Sequence, residues 1–449
     1  MKKLAVFVAL LGLLLLPIVI WKTSSSSTLE TEVAAKPLFQ NEQLSFWLIT
    51  DPHYIDEQLH DSGDAFQRIQ ATAAGKDLRY QKQSLQALVA KALVEKPQGL
   101  IVTGDITLNG ERVSAEVFSE LLQPLREAGI NTFIIPGNHD IYDGWARRFE
   151  GTEQEKTEQI SPTDFQHLFK DHGYDQAALR DDHSLSYLIQ INEYYNFVFL
   201  DTNIYTVEPS KRDPVTAGKV KPETKDWLAE QLQAASQQGK RTLVFMHHNL
   251  FEHNSVVNKG YVLNNAEEIR SLLEDYQVPI VFSGHIHAQD ILTDQETGIT
   301  EIVTGSFSIT PNPVGVIEID QHGLRYTRNS VDVEQWAQQQ SSTDEQLLAY
   351  RTYLSELFLK DSQSMGYRSL LEVGYREEED LDRAAELIGE LNLRFFTGED
   401  DRSDQEATEI KESEAYRTIS EESAFLKEYV DSILQDKNEN DRSFDVTFN

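Results

Sequence analysis

Short apolar runs along the chain repeatedly end in side chains that can bind a metal. "LITDPHY" ends in Asp51 and His53, "IVTGD" in Asp105, "IIPGNHD" in Asn138, His139 and Asp140, "VFMHH" in His247 and His248, and "VFSGHIH" in His285 and His287. Carboxylates, imidazoles and one amide oxygen, without sulfur, make a donor set for metal ions of the Mn, Fe or Zn kind. Each piece alone is weak, because an Asp at a strand end is commonly a cap or turn former. Gly-His-x-His is stronger, since two histidines one residue apart in a turn can chelate. What points to one centre is the recurrence of all of them, each at the end of a predicted strand. Gly104, Gly137 and Gly284 precede their donors and are expected to let the backbone turn tightly there.

The runs that must position these residues are compact and rich in β-branched and aromatic side chains: 44–51, 99–105, 132–138, 196–202, 241–248 and 279–285. They read as buried strands, with later ones near 300–304 and 314–319. Between them, 80–96 and 114–129 carry apolar residues at helical spacing, and this alternation indicates an α/β layered domain over 43–331. From Asp332 the texture changes. Gly and Pro become scarce, and 344–360, 380–396 and 422–435 show apolar faces of period 3.6, so 332–449 reads as a helical domain. Its acidic stretch 397–414 reads as a solvated loop.

With 40 basic against 74 acidic residues, the formal net charge is -34, which repels nucleic acid and anionic membrane faces. A phosphate-bearing substrate would then need bound cations to reverse the local field. The chain has no cysteine, which excludes disulfides, thiolate ligands and thiol catalysis. Residues 1–22 carry Lys2 and Lys3 ahead of an uncharged apolar run from Leu4 to Trp21, followed by a linker over 23–42. As a helix that run spans roughly 27 Å, about the thickness of a bilayer core. It is read as an uncleaved anchor or a cleaved signal, the nearest small-residue site being Val33-Ala34-Ala35. Either way the remainder is expected outside the membrane, anchored to its outer face or secreted.

The ordered set Asp51-x-His53, Gly104-Asp105, Gly137-Asn138-His139-Asp140, His247 and Gly284-His285-x-His287 resembles the calcineurin-like metallophosphoesterase superfamily over 44–320. "GDITLNGE", "GNHDIYDGWARRF", "SLSY" and "LDTNIY" are similar to its exported cyclic-nucleotide phosphodiesterase-like members from Gram-positive bacteria. The resemblance implies two β-sheets packed face to face and flanked by helices, an αββα sandwich, followed by a C-terminal all-α domain. It implies two divalent or trivalent metal ions (Mn, Fe or Zn). One is held by Asp51, His53 and His287, the other by Asn138, His247 and His285, with Asp105 bridging. A metal-bridging hydroxide would attack phosphorus, and His139 would act as general acid, oriented and kept cationic by Asp140. Asn138, His139 and His248 are the expected substrate contacts, although His248 is equally readable as packing beside a ligand. The implied reaction is hydrolysis of 3',5'-cyclic nucleotides. Alternatives are a phosphomonoesterase or broad nucleotide phosphoesterase, and a non-catalytic surface binding module.

Weaker candidates surround this set. Tyr54 and Tyr142 could stack on a base or line a loop. Asn109 and Glu111 could support the centre or form a turn. Trp145, Arg147 and Arg148 are expected to anchor a following helix, and the segment 54–80 to shape the pocket. His60, His167, His172, His183, His253 and His322 have no motif around them and are read as structural or exposed. Nothing in the sequence bears on oligomeric state.

Overall fold

A computed structural model describes residues 36–206, 208–436 and 440–448. The apolar segment at residues 1–22 lies outside the described residues. Among the described residues no helix is long and apolar enough to cross a membrane.

Among the described residues, fifteen strands build two large sheets and a small ribbon. The first sheet contains β1 (Leu44–Ile49), β2 (Gly99–Thr103) and β3 (Asn131–Ile135). The ribbon pairs β4 (Arg147–Glu150) with β5 (Glu153–Lys156). The second sheet contains β6 (Leu179–Arg180), β7 (Tyr187–Gln190), β8 (Tyr195–Leu200), β9 (Arg241–Met246), β10 (Ile280–Ser283), β11 (Asp290–Thr293) and β12 (Thr300–Val303). The chain then returns to the first sheet with β13 (Pro313–Ile319), β14 (Gly323–Ser330) and β15 (Ser443–Thr447). The orders are β15-β14-β13-β1-β2-β3 and β11-β12-β10-β9-β8-β7-β6. β1, β2 and β3 are parallel, as are β8, β9, β10 and β12.

Side chains alternate across each strand, and that period of two divides the core. On β8 and β9, Phe197, Phe199, Leu243 and Phe245 enter one cluster shared with Phe46, Phe133 and Ile317 of the first sheet. Val198, Leu200, Val244 and Met246 point the other way, onto Leu228 and Leu232 of helix Pro222–Gln237 and Ile269 of helix Ala266–Asp275. Phe46 meets Phe197 at 5.0 Å and Phe133 meets Phe199 at 5.5 Å between ring centroids, so the sheets pack face to face. Helices Gln81–Glu95 and Arg112–Glu127 cover the outer side of the first sheet, through Leu88 and Ala92 of one and Phe118 and Leu122 of the other. Parallel strands leave all their carboxyl ends on one edge, where the donor residues follow.

Seven helices lie between Val333 and Leu434. Leu381, Ile388, Phe395, Leu426 and Val430 pack on Ile286, Ala288 and Val303, next to the His285 and His287 turn. Two expectations are corrected here. The acidic stretch 397–414 contains helix Asp404–Glu412, and Asp400 and Arg402 within it are buried, because the short turn after Thr397 folds back under the helices. The tail beyond them is not helical: alternating Phe444 and Val446 dock as β15 on the edge of β14.

Candidate metal centre

The loops after β1, β2, β3, β9 and β10 meet at one point. Asp51, His53, Asp105, His285 and His287 all have φ between 44° and 68°, the left-handed region that non-glycine residues avoid. Each costs on the order of 1–3 kcal/mol and persists only where the surroundings hold it. Here they do. Asp51 Oδ2 accepts the His285 N–H at 2.9 Å and the Thr50 hydroxyl at 2.6 Å. Its carbonyl accepts the hydroxyls of Ser306 and Ser308 at 2.7 and 3.1 Å, and the His53 N–H bonds to Asp105 O at 2.9 Å. The glycine expectation holds for turning only at Gly104, with φ 96°. Gly137 and Gly284 serve close approach instead, because a Cβ would lie 2.2 Å from Asp105 Oδ1 in one case and 2.0 Å from Thr50 Oγ1 in the other.

Two ligand groups share Asp105. Asp51, His53, Asp105 and His287 form one, and Asp105, His247 and His285 the other, the donor atoms of each lying within 4.8 Å of one another. Asn138 Oδ1 joins the second, 3.1 Å from His247 Nε2. His53 Nε2 and His287 Nε2 face each other at 3.0 Å, and Asp51 Oδ1, buried, has no hydrogen-bond partner. Asp105 Oδ2 lies 3.6 Å from His53 Nε2, and Oδ1 lies 3.4 Å from His247 Nε2. Two ring nitrogens and an orphan carboxylate oxygen aimed at one spot fit a cation, because neutral imidazoles would otherwise oppose lone pairs. The outer nitrogens are fixed from behind: His247 Nδ1 donates to Thr103 O at 2.9 Å, and His285 Nε2 to Gly260 O at 3.1 Å.

Electrostatics follow the same plan. Burial lowers His53, His287 and His285, the last to about 3, which keeps them neutral and able to ligate. Burial alone would raise Asp105, but His247 and His139 hold it well below the usual carboxylate range. In turn Asp105, against the pull of burial, raises His247 to about 9.

His139 stands at the open side of the centre, its ring centroid 5.2 Å from that of His53 and its backbone N–H on Asp105 Oδ1 at 2.8 Å. Its support differs from expectation. Asp140 does not touch the His139 ring; it is fully buried and accepts the N–H groups of Ile106, Thr107 and Gly137 at 3.1, 2.9 and 2.8 Å. It therefore ties the β2 loop to the β3 loop. The neighbours of His139 Nδ1 are Asp143 Oδ2 at 3.4 Å and the Asn109 amide at 3.0 Å. Turned with its NH2 toward them, Asn109 satisfies His139 Nδ1, Asp143 Oδ2 and Leu108 O together. Burial opposes protonation of His139, yet Asp105 and Asp143 raise its pKa above the ordinary value.

His248 is corrected as a substrate contact. It is buried, and its ring nitrogens meet Thr202 Oγ1 at 2.8 Å and Thr216 O at 3.1 Å, so neither is free. Its ring backs that of His285 at 4.4 Å. Tyr54 is likewise spent, bonded through its hydroxyl to Asp56 at 2.7 Å, and Tyr142 packs half-buried on the core between the sheets. Glu111 takes the Asn109 N–H at 2.9 Å, and burial raises it to about 8. No helix follows Trp145: Arg147 and Arg148 begin β4, and Arg147 bonds the carbonyls of Gly144 and Ala146.

Two residues escaped sequence reasoning. Asp143, four positions after His139, carries only the weak signal of that spacing. Lys76 carries none. It is half-buried; burial lowers its pKa, and its charge is attracted chiefly to Asp105, Asp51 and Asp361. The next residue, Asp77, takes the hydroxyls of Tyr350 and Tyr353 at 2.8 and 3.2 Å, so helix Tyr350–Glu372 holds the loop that bears this lysine.

The family description "Calcineurin-like phosphoesterase" matches residues 44–289, and "C-terminal domain of cyclic nucleotide phosphodiesterase" matches residues 332–440. A protein of Psychrobacter arcticus named "Probable cyclic nucleotide phosphodiesterase" is 24% identical over 226 residues, which is 50% of this chain and 68% of that one. Among solved structures, a dimetal phosphatase of Danio rerio is 15% identical with TM-score 0.45, covering 64% of this chain and 96% of that one. An inner-membrane-complex anchor of Plasmodium is 14% identical with TM-score 0.38, covering 65% and 86%.

Proposed function

Because the chain belongs to the calcineurin-like phosphoesterase family, whose members are metal-dependent hydrolases of phosphoesters with a binuclear centre, we propose that it opens 3',5'-cyclic nucleotides to nucleoside monophosphates. The observation that carries this reading is the union, in one chain, of that catalytic domain with the cyclic nucleotide phosphodiesterase C-terminal domain at 332–440. Asp51, His53 and His287 would hold one ion, Asn138, His247 and His285 the other, with Asp105 between them. The mixed nitrogen and oxygen donors suit Mn, Fe or Zn. Bound there, two metal ions supply Lewis acidity and activate water as the nucleophile.

The chain's own side chains do the rest. Asn138 is a neutral donor and adds no negative charge where a phosphate must enter. Lys76 contributes a positive charge to hold the phosphate in an otherwise acidic protein. His139 keeps a proton on Nε2 whether neutral, with Nδ1 accepting from Asn109, or cationic, with Nδ1–H facing Asp143. As water oxygen bonds to phosphorus and the bond to the departing ribose oxygen breaks, that proton goes to the ribose oxygen. We place the reaction outside the cytoplasmic membrane on the strength of residues 1–22 in the sequence.

The test is hydrolysis of bis-p-nitrophenyl phosphate, p-nitrophenyl phosphate and 3',5'-cyclic AMP by the full-length protein, with Mn added after chelation. Preference for the diester and the cyclic nucleotide is expected. Preference for the monoester would move the function to a phosphatase while leaving every ligand in place.

A further inference from the structure

The loop that bears Lys76 is held from two sides, and one of them is the helical region. Gly75 turns with φ 74° and seats on Phe358 of helix Tyr350–Glu372, where a Cβ would lie 2.6 Å from Phe358 Cδ2 and 3.2 Å from its Cα. Asp77, 1% exposed, accepts the Tyr350 and Tyr353 hydroxyls of the same helix at 2.8 and 3.2 Å and the Arg79 N–H at 2.9 Å. On the other side, the Asp77 N–H donates to Ser308 O at 2.8 Å, and the Ser308 hydroxyl donates to Asp51 O at 3.1 Å. Ser355, on the turn of helix before Phe358, meets Thr310 at 3.0 Å between hydroxyls. The helix is thus joined to the Asp51 turn through a short, buried chain of contacts.

Between its two neighbours Lys76 is the exception. Gly75 and Asp77 are buried and fully engaged, whereas the half-buried Lys76 ammonium makes no hydrogen bond or close ion pair among the described residues. Its charge is attracted to Asp105 and Asp51 at the centre and to Asp361, one turn after Phe358 on the helix. The same charge opposes protonation of His53, His287 and His139, so the lysine stands near both the first ligand group and the acid. A lysine that served only to balance buried charge would be paired directly with one of these carboxylates. An unpaired ammonium on a doubly anchored loop is arranged for an anion that comes from outside.

We infer that helix Tyr350–Glu372 is a working part of the phosphoester site: it seats Lys76 against the phosphate, so Tyr350, Tyr353, Phe358 and Asp77 are positioning residues that act through the lysine. The inference rests on the phosphoester reading of the centre and on no particular nucleotide. Lysine carries a point charge on a flexible stem, and its contact is worth most where the backbone beneath it is already fixed. Removing the two tyrosine hydroxyls leaves the buried Asp77 carboxylate short of donors, and the loop must shift to satisfy it. That shift reaches Lys76 as a change in its distance from the phosphate. The helical region thereby sets anion affinity at a site whose metal ligands all come from the other part of the chain.

The experiment measures binding of inorganic phosphate to the Mn-loaded, full-length protein by calorimetry, with bound Mn counted by elemental analysis. Lys76→Met should weaken phosphate binding about tenfold, the loss of one charge-assisted contact. Tyr350→Phe/Tyr353→Phe should weaken it about threefold with bound Mn unchanged, and should add nothing in the Lys76→Met background. Tyr416→Phe, which loses a hydroxyl bond of the same kind to Asp431 within the helical region, should leave phosphate affinity as it is. A loss that persists in the Lys76→Met background overturns the proposal, as does an equal loss in Tyr416→Phe or an unchanged affinity in the double tyrosine variant. If that variant does not fold, Tyr353→Phe, which gives up only the longer of the two bonds, decides on the same terms. Because phosphate itself is the probe, a protein that shows this coupling yet leaves 3',5'-cyclic AMP intact sinks the substrate reading and upholds this one.

Discussion

At the ends of the parallel strands, two aspartates meet four histidines; at the junction of β11 with the helical region, Asp290, Asp436 and Asp441 meet one another beside Asp400. In the first place burial keeps His53, His285 and His287 neutral, their nitrogens directed at common points. In the second, Asp290 and Glu301 flank His253 and, against burial, raise it to about 10. The same side chain is a neutral candidate ligand in one environment and a counter-ion in the other, according to what faces it. The backbone differs too. Residues of the candidate metal centre sit in strained turns clamped by hydrogen bonds between strand-end loops, whereas the junction is assembled where the helical region docks on β11.

The largest expected effect belongs to the bridge. Asp105→Asn should lower kcat/KM toward a phosphodiester by about a thousandfold or more, since it removes the carboxylate both ions share, while circular dichroism stays unchanged. Activity within tenfold of wild type would break the distinction between a catalytic and a structural cluster. Next comes the acid. His139→Gln should reduce kcat by about a hundredfold with metal content intact, and the loss should shrink for p-nitrophenyl leaving groups, which depart without a proton. An equal loss for good and poor leaving groups would remove the general-acid role.

Lys76→Met should raise KM by about tenfold with little change in bound metal, because it withdraws one charge from the phosphate side and no ligand. If metal content falls instead, the lysine belongs to the architecture of the centre. The last effect is on stability alone and comes from a histidine that belongs to neither cluster. His172, held between Thr132 Oγ1 at 2.7 Å and Ser119 Oγ at 2.8 Å, is lowered by burial to about 4. The unfolded chain therefore binds more protons between about pH 4 and 6.5, so this contribution is complete above 6.5 and lost as pH falls toward 4, up to about 3 kcal/mol. Urea unfolding of His172→Gln should show a correspondingly shallower loss of stability over that window.

Much of the first centre was legible because each donor directly follows a β-branched run, and a buried parallel strand can only deliver its carboxyl end to one edge of a sheet. Asp140 misled for a related reason. Adjacency in sequence suggested contact with His139, but in the turn the Asp140 side chain points back to the amides of Ile106, Thr107 and Gly137, and Asp143 reaches the ring instead. The sequence leaves His248 between two readings, and only its contacts with Thr202 Oγ1 and Thr216 O, far from it along the chain, select packing behind His285. Asp400, in a stretch so acidic that solvation was the natural reading, is buried beside the ends of two other segments.

The sequence by itself determined the strand and helix alternation and the donor types, since these depend on local period and chemical identity. Only the tertiary structure decided which carboxylate supports His139, that the helical region holds the loop bearing Lys76, and that aspartates at 290, 436 and 441 meet beside Asp400. Those are contacts between residues far apart along the chain or facing an unforeseen side, and no local pattern encodes the distance at which two such side chains come to rest.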